Sequence, residues 1–246
     1  MKQASSRDQI FAVPQPVVDF AFNAAVADVF PDMLRRSIPG YETIISQLGV
    51  LARYYAQPHS RIYDLGCSLG AATLAMASQV RQTGVHYIGV DNSEAMIQRC
   101  QQVLARHLPV ERFELYCADV RDLEIQSASV IVLNFTLQFI PPADRQALLA
   151  RIYQALLPGG VLILSEKVCF ADPDTQALMT ELHKEFKRAN GYSELEISQK
   201  RSALEKVLIP DTLEVHQTRL QQLGFVNTLV WLQNLVFCSL LAVKAT

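Results

Sequence analysis

The chain has 246 residues, half of them hydrophobic and 19% charged, with a formal net charge of −2. A chain of this kind can bury the core of one large α/β domain, and its composition excludes a largely disordered protein. The near-balanced charge gives no bulk attraction to nucleic acid, and five scattered cysteines without CxxC spacing read as free thiols rather than a disulfide frame or a zinc site.

Residues 1 to about 20 contain Pro14 and Pro16 and no continuous apolar run, so they are expected to fray and not to form a secretory leader. From Phe20 to Tyr55 the apolar residues recur at helical spacing, with Val26, Val29 and Phe30 followed by Ile44, Ile45, Leu48 and Leu51. Pro39 and Gly40 divide the stretch and leave Tyr41 at the start of a second helix. An alternation then begins. Strands are predicted over Arg61–Leu65, His86–Val90, Phe113–Cys117, Val130–Asn134 and Val161–Ser165. Helices are predicted over Ala71–Gln82, Ala95–His107 and Asp144–Leu157, the last opened by Pro141 and Pro142 and closed by Pro158, Gly159 and Gly160.

That pattern implies a parallel sheet covered by helices on both faces. Residues 166–222 form a polar, mostly helical insertion, read as a lid or partner-facing element within a single domain spanning 1–246. Two final apolar runs, Gly224–Leu232 and Leu235–Lys244, are separated by Gln233 and Asn234 and predict a hairpin that adds an antiparallel strand. The greasiest stretch, Leu229 to Val243, is too short and too interrupted to span a bilayer, so a cytoplasmic protein without membrane contact is expected.

The segment RIYDLGCSLG, residues 61–70, is a strand, an acid and a glycine turn, and Asp91 ends the next strand, HYIGVD. Gly66 allows a sharp turn off the strand tip, and an acid on the next strand can accept two ribose hydroxyls. A dinucleotide fingerprint would need glycine where Ser68 and Ala71 stand, and no phosphate-loop lysine follows. Asp64 beside the turn disfavours a pyrophosphate and favours a cation. S-adenosyl-L-methionine is such a ligand, with a sulfonium, an ammonium and no phosphate. Asp64 would orient its ammonium, Asp91 its ribose, and Asp119 in CADVRD its adenine amine. Each acid also has an ordinary structural role open to it: helix capping for Asp64 and Asp91, a solvated loop for Asp119. Cys67 and Cys117 read as small apolar fillers, and the five histidines show no metal spacing, so no metal is expected.

Longer strings carry a resemblance. FPDMLRRSIPGY (30–41), YDLGCSLGAATLA (63–75), VLNFTLQFI (132–140) and FKRANGYSELEISQKRSALE (186–205) are similar to those of the carboxy-S-adenosyl-L-methionine synthase family, within the class I S-adenosylmethionine-dependent methyltransferases. The resemblance implies a Rossmann-like class I methyltransferase fold: a seven-stranded, mostly parallel sheet with an antiparallel C-terminal strand, N-terminal helices and a helical insertion. It implies conversion of S-adenosyl-L-methionine and prephenate to carboxy-S-adenosyl-L-methionine and phenylpyruvate. The product would serve a tRNA carboxymethyltransferase that modifies the wobble uridine, with no direct nucleic-acid contact by this chain. A small-molecule methyltransferase is the alternative on the same fold. Carried over by motif, the cofactor contacts are Tyr41, Gly66, Cys67, Ser68, Asp91, Asn92, Asp119, Val120 and Asn134. Arg201 in SQKRS would reach the new carboxylate from the neighbouring subunit of a homodimer. Lys184, Lys187, Arg188, Lys200 and Lys206 alternate with glutamates and read as a solvated helix face. Capture of carbon dioxide by a deprotonated methyl needs water excluded; the N-terminal helices, Tyr41 and the insertion are the candidate enclosure.

Overall fold

The computed structural model describes residues 7–246. Its strands are β1 (Arg61–Leu65), β2 (His86–Asp91), β3 (Phe113–Cys117), β4 (Ala128–Asn134), β5 (Leu156–Cys169), β6 (Asp211–Thr212), β7 (Phe225–Asn234) and β8 (Phe237–Lys244). The helices are α1 (Ala24–Ser37), α2 (Tyr41–Tyr55), α3 (Ala71–Gln79), α4 (Glu94–Leu104), α5 (Pro142–Ala155), α6 (Pro173–Ala189), α7 (Glu194–Leu204) and α8 (Leu213–Gln222). Strands run in the order β3-β2-β1-β4-β5-β8-β7, with the two-residue β6 beside β5. The first five are parallel, and β8 runs antiparallel between β5 and β7.

Strand alternation sorts the core into two layers. Ile62, Tyr87, Val132 and Ile163 face α2 and α3 and pack with Leu48 and Met76. Their neighbours Tyr63, Ile88, Leu133 and Leu164 face the opposite way and pack with Leu149 and Ile152 of α5 and Leu220 of α8. Near-continuous apolar strands are what a sheet buried on both faces requires. A third cluster joins Val26, Phe30 and Met33 of α1 to Met96 of α4 and lies over one end of the sheet.

Three local expectations are corrected. Pro158, Gly159 and Gly160 lie inside β5, not in a helix cap, at the point where the β4–β5 register shifts. The hairpin turns at Leu235 and Val236, because Gln233 and Asn234 pair with Cys238 and Phe237 as strand residues. Burial decided it: Val236 is in the core and its carbonyl accepts from the Val168 amide, while Leu235 takes a left-handed backbone at φ 50°. Residues 7–22 carry no long helix or strand, yet they are held in place rather than frayed. The Asp8 carboxylate is buried, accepts from the Tyr192 hydroxyl and pairs with Lys200 at 3.7 Å, and its amide donates to Asp32 at 2.8 Å. The rest of that expected segment, residues 1–6, lies outside the described residues.

One buried cation ties the insertion to the sheet. Arg145 of α5 is fully buried, donates to the carbonyls of Ile140, Gln138 and Ile209, and pairs with Asp211 of β6 at 2.7 Å. Removing the guanidinium strands those carbonyls in the interior. Arg145→Met is therefore expected to lower the unfolding free energy by about 3 kcal/mol or more, read from the urea midpoint at unchanged slope. A loss under ~0.5 kcal/mol would mean that water replaces the network at no cost.

Candidate cofactor and active site

A cavity of about 470 Å³ opens along the C-terminal tips of β1, β2, β4 and β5, under α1, α2, α6 and α7. Ten residues singled out from sequence line it together: Tyr41, Asp64, Gly66, Cys67, Ser68, Asp91, Asn92, Asp119, Val120 and Asn134.

At the first strand tip, Gly66 takes φ +86°, and a Cβ there would meet Thr136 Oγ1 at 2.2 Å. The Thr136 hydroxyl donates instead to the Leu65 carbonyl at 2.8 Å, which brings the β1 and β4 tips together. Asp64 takes the structural role at the start of α3. Its Oδ2 accepts from the Thr73 amide at 3.0 Å and the Thr73 hydroxyl at 2.7 Å, anchoring the first turn of α3. The side chain is buried and still lines the cavity. Burial pushes its pKa up to about 6, against the two Thr73 bonds and with help from the Asp91 charge.

Asp91 receives the Ser68 amide at 3.0 Å and the Ser93 amide at 2.9 Å, and burial raises its pKa. Helix α4 is capped by Ser93, whose hydroxyl oxygen accepts from the Met96 amide at 3.2 Å and also donates to the Phe22 carbonyl. Asp91 is thus free of the capping role. Each of its oxygens keeps a lone pair for a ribose hydroxyl. Asp119 differs: both its oxygens accept from Arg121, which lowers its pKa and leaves it a half-exposed loop acid at the rim. Cys67 is buried, and its thiol pKa lies well above the ordinary range, first through the Cys100 thiol and then through burial, which suits a filler and not a nucleophile. Asn134 Oδ1 is buried without a hydrogen-bond partner among the described residues, an acceptor waiting for a donor.

The other end of the cavity is cationic. Lys167 of β5, His183 and Lys187 of α6 and Lys200 of α7 all line it. The solvated-face reading fails for Lys187 and Lys200, which turn inward, whereas Lys184 and Arg188 pair with surface glutamates as that reading required. Lys200 donates to Ser37 at 3.0 Å and is depressed to about 8 by burial, with Asp8 opposing. His183 donates from Nε2 to the Ser37 carbonyl at 2.8 Å and is pulled down to about 3 by burial and the Lys187 charge, so it is neutral. Arg201 does not line the cavity. It is exposed on α7 and forms no hydrogen bond or ion pair among the described residues, although its charge depresses both Lys167 and Lys187.

Sequence reasoning missed two parts of the site. Phe20, Phe22 and Phe139 form an aromatic wall, with Phe22 edge-on to Phe20 and to Phe139 at 5.2 Å each. Two of the three lie in or beside the segment expected to fray. Lys167 was missed as well. Its signal was available: it continues the alternation Ile163, Ser165 on the face that carries Asn134.

Residues 62–160 match the family described as a methyltransferase domain. The fold is shared with a putative S-adenosyl-L-methionine-dependent methyltransferase from Methanococcus maripaludis (TM-score 0.60, 16% identity, 95% of this chain and 98% of that one). It is shared too with magnesium protoporphyrin IX methyltransferase from Synechocystis PCC 6803 with bound SAH (TM-score 0.60, 16% identity, 87% of each chain). Fold and site together define a class I methyltransferase-type enzyme that takes S-adenosyl-L-methionine as co-substrate, and the two buried acids and the orphaned Asn134 acceptor fit its cationic and donor groups. Carboxy-S-adenosyl-L-methionine synthase from Aliivibrio fischeri is 56% identical over 238 residues, 96% of this chain and 98% of that protein. The Shewanella loihica protein of the same name is 54% identical over 241 residues, 98% and 99% of the two chains. The chain belongs to the carboxy-S-adenosyl-L-methionine synthase family.

A carboxyl at the Asp64 position would attract a cationic co-substrate only when ionised. With its pKa raised to about 6, affinity for S-adenosyl-L-methionine is expected to be full above that pH and to fall as pH drops through it. Asp64→Asn keeps an acceptor for Thr73, and should shrink that pH step while weakening binding at pH 8 by about tenfold, measured by calorimetry. A pH profile identical to wild type would remove Asp64 from the ligand's surroundings. Gly66→Ala should abolish binding outright, since the added methyl collides with Thr136 in a backbone region that disfavours side chains.

Proposed function

We propose that this enzyme condenses S-adenosyl-L-methionine with prephenate to give carboxy-S-adenosyl-L-methionine, phenylpyruvate and water. The observation that carries this reading is the polarity of one cavity: buried acids on β1 and β2, half-buried lysines on β5 and α6 and a buried one on α7. A neutral methyl acceptor gives no reason for that second half. A sulfonium donor beside a dianionic co-substrate needs both.

S-adenosyl-L-methionine supplies a methyl group acidified by the adjacent sulfonium. The protein's residues orient and enclose it. Asp91 and the Gly66 turn seat the ribose and amino-acid portions, Asp64 and Asn134 face the ammonium, and the aromatic wall of Phe20, Phe22 and Phe139 excludes water from the adenosyl end. Enclosure matters because a carbanion-like methyl is quenched by any nearby water, and carbon dioxide released into solvent is lost. Aromatisation of prephenate drives the exchange, and holding both reactants in one cavity supplies effective molarity.

Arg201 enters this reading from a second copy of the chain. Support comes from its exposure, its lack of a partner among the described residues and its place beside the cationic end. In a homodimer its guanidinium would meet the carboxylate formed on the neighbouring subunit's product, as a planar fork suited to bidentate binding. The product would then pass to a tRNA carboxymethyltransferase acting on the wobble uridine.

Incubation with S-adenosyl-L-methionine and carboxyl-labelled prephenate should add the mass of one carboxyl to the cofactor, with the label, by mass spectrometry. Release of S-adenosylhomocysteine, the demethylated donor, without that product would instead mark a methyltransferase. Arg201→Ala and Asp91→Ala should each be nearly inactive alone. Mixed and re-paired, they should recover about a quarter of the wild-type rate, the share of sites that random dimerisation leaves intact. No recovery on mixing would confine Arg201 to its own chain.

A further inference from the structure

The C-terminal edge of the sheet carries a charge gradient on one face. Alternation continues Tyr87, Ile62, Val132 and Ile163 into Asp91, Asp64, Asn134 and Lys167, so the tips read acid, acid, amide, lysine from β2 across β1 and β4 to β5. Register fixes the spacing: Asn134 lies opposite Ser165, and Lys167 emerges two residues further along β5. Lys187 enters the same cavity from α6, across from the sheet.

Buried lysines normally bring their own counter-ion, and Lys200 does, in Asp8 and Ser37. Lys167 and Lys187, half-buried on the cavity wall, do not. Among the described residues neither ammonium has an ion pair or a hydrogen-bond acceptor, and the only charges acting on Lys187 are cations: Lys200, Lys167 and Arg201. Burial and that repulsion pull Lys187 down to about 7, and burial likewise lowers Lys167. Two mutually repelling cations without acceptors, facing one cavity, are an arrangement that an entering anion relieves.

We propose that Lys167 and Lys187 are the two-point anion clamp that seats the carboxylates of the dianionic co-substrate next to the sulfonium methyl. This rests on the carboxylation reading above and adds the residues that select the second substrate. Sheet order supports the placement. A cofactor held by Asp91 and Asp64 directs its reactive end toward β4 and β5, which is where the clamp stands. Lys200 and His183 are positioning residues in this arrangement, fastened to Ser37 and so to the end of α1. Arg201 keeps its separate role toward the product carboxylate.

Lys167→Met and Lys187→Met remove the charge and keep the stem. Each is expected to raise KM for prephenate by about tenfold or more, the value of one charge-assisted hydrogen bond, with Kd for S-adenosyl-L-methionine unchanged. Lys→Arg at either position should recover most of the loss. The clamp is overturned if KM for prephenate stays at the wild-type value in both methionine variants, or if Kd for S-adenosyl-L-methionine rises as much as KM. Because wild type is assayed alongside, absence of carboxylated product there speaks against the activity itself, and not against the clamp alone. A measurement on the wild-type chain decides the matter should the variants fail to fold. Benzylmalonate, a dianion, should inhibit about tenfold more tightly than 3-phenylpropionate, its monoanionic counterpart. Equal inhibition by the two would sink the two-point clamp.

Discussion

The close contact between Gly66 and Thr136 is the constraint on which the site depends. Thr136 occupies the space that a side chain on residue 66 would fill, and its hydroxyl holds the last carbonyl of β1. This contact brings the tips of β1 and β4 together at the point where strand order reverses, where the crossovers leave a crevice in open parallel sheets. On one side of it lie the acids and on the other the lysines. Any residue larger than glycine would push the two halves apart.

The turn after β4 is itself held from below. Glu166, fully buried on β5, accepts from the amides of Leu137 and Gln138 at 2.8 and 2.9 Å, and burial pushes its pKa up to about 8 against those donors. Gln138 then accepts from the Lys167 amide with its side-chain oxygen at 2.9 Å, so the backbone that carries one clamp lysine is tied to the turn that carries Thr136 and Phe139. Glu166 points away from the cavity because it alternates with Lys167 and faces Cys238 on the other side of the sheet. One strand tip thus supplies a structural acid to one face and a cavity-lining cation to the other.

Charge placement also accounts for the role of the helical insertion and the N-terminal segment. Asp8 neutralises Lys200 within the fold, and Tyr192 lies under the Arg36 guanidinium at 3.8 Å from its ring centroid while donating to Asp8. This small network locks residues 7–9, α1 and the α6–α7 loop into one enclosure over the cavity. Lys167 and Lys187 stay outside it, which is why their charge remains available to a ligand.

Much of the site was legible in the chain because its signals are local. Gly66, Asp64 and Asp91 sit at strand tips whose apolar runs and following helix starts fix their positions within a residue or two. The long strings around Tyr41, Asn134 and Arg201 set the family. The insertion's lysines were not legible: helical spacing with interleaved glutamates gives the same pattern whether a lysine faces water or a cavity, and only packing of α6 and α7 against α1 and β5 separates Lys187 from Lys184. The hairpin turn was misplaced for a related reason, since burial of Val236 outweighed the turn preference of Gln233 and Asn234. The aromatic wall was hidden because Phe20 and Phe22 belong to no regular element, so no periodicity marks them. By itself the sequence determined the alternating α/β order, the parallel sheet with one reversed strand and the acids of the cofactor end, all set by short-range periodicity and turn chemistry. The cationic end, the roof and the state of Arg201 were decided only by tertiary structure, because they depend on which faces of distant segments meet.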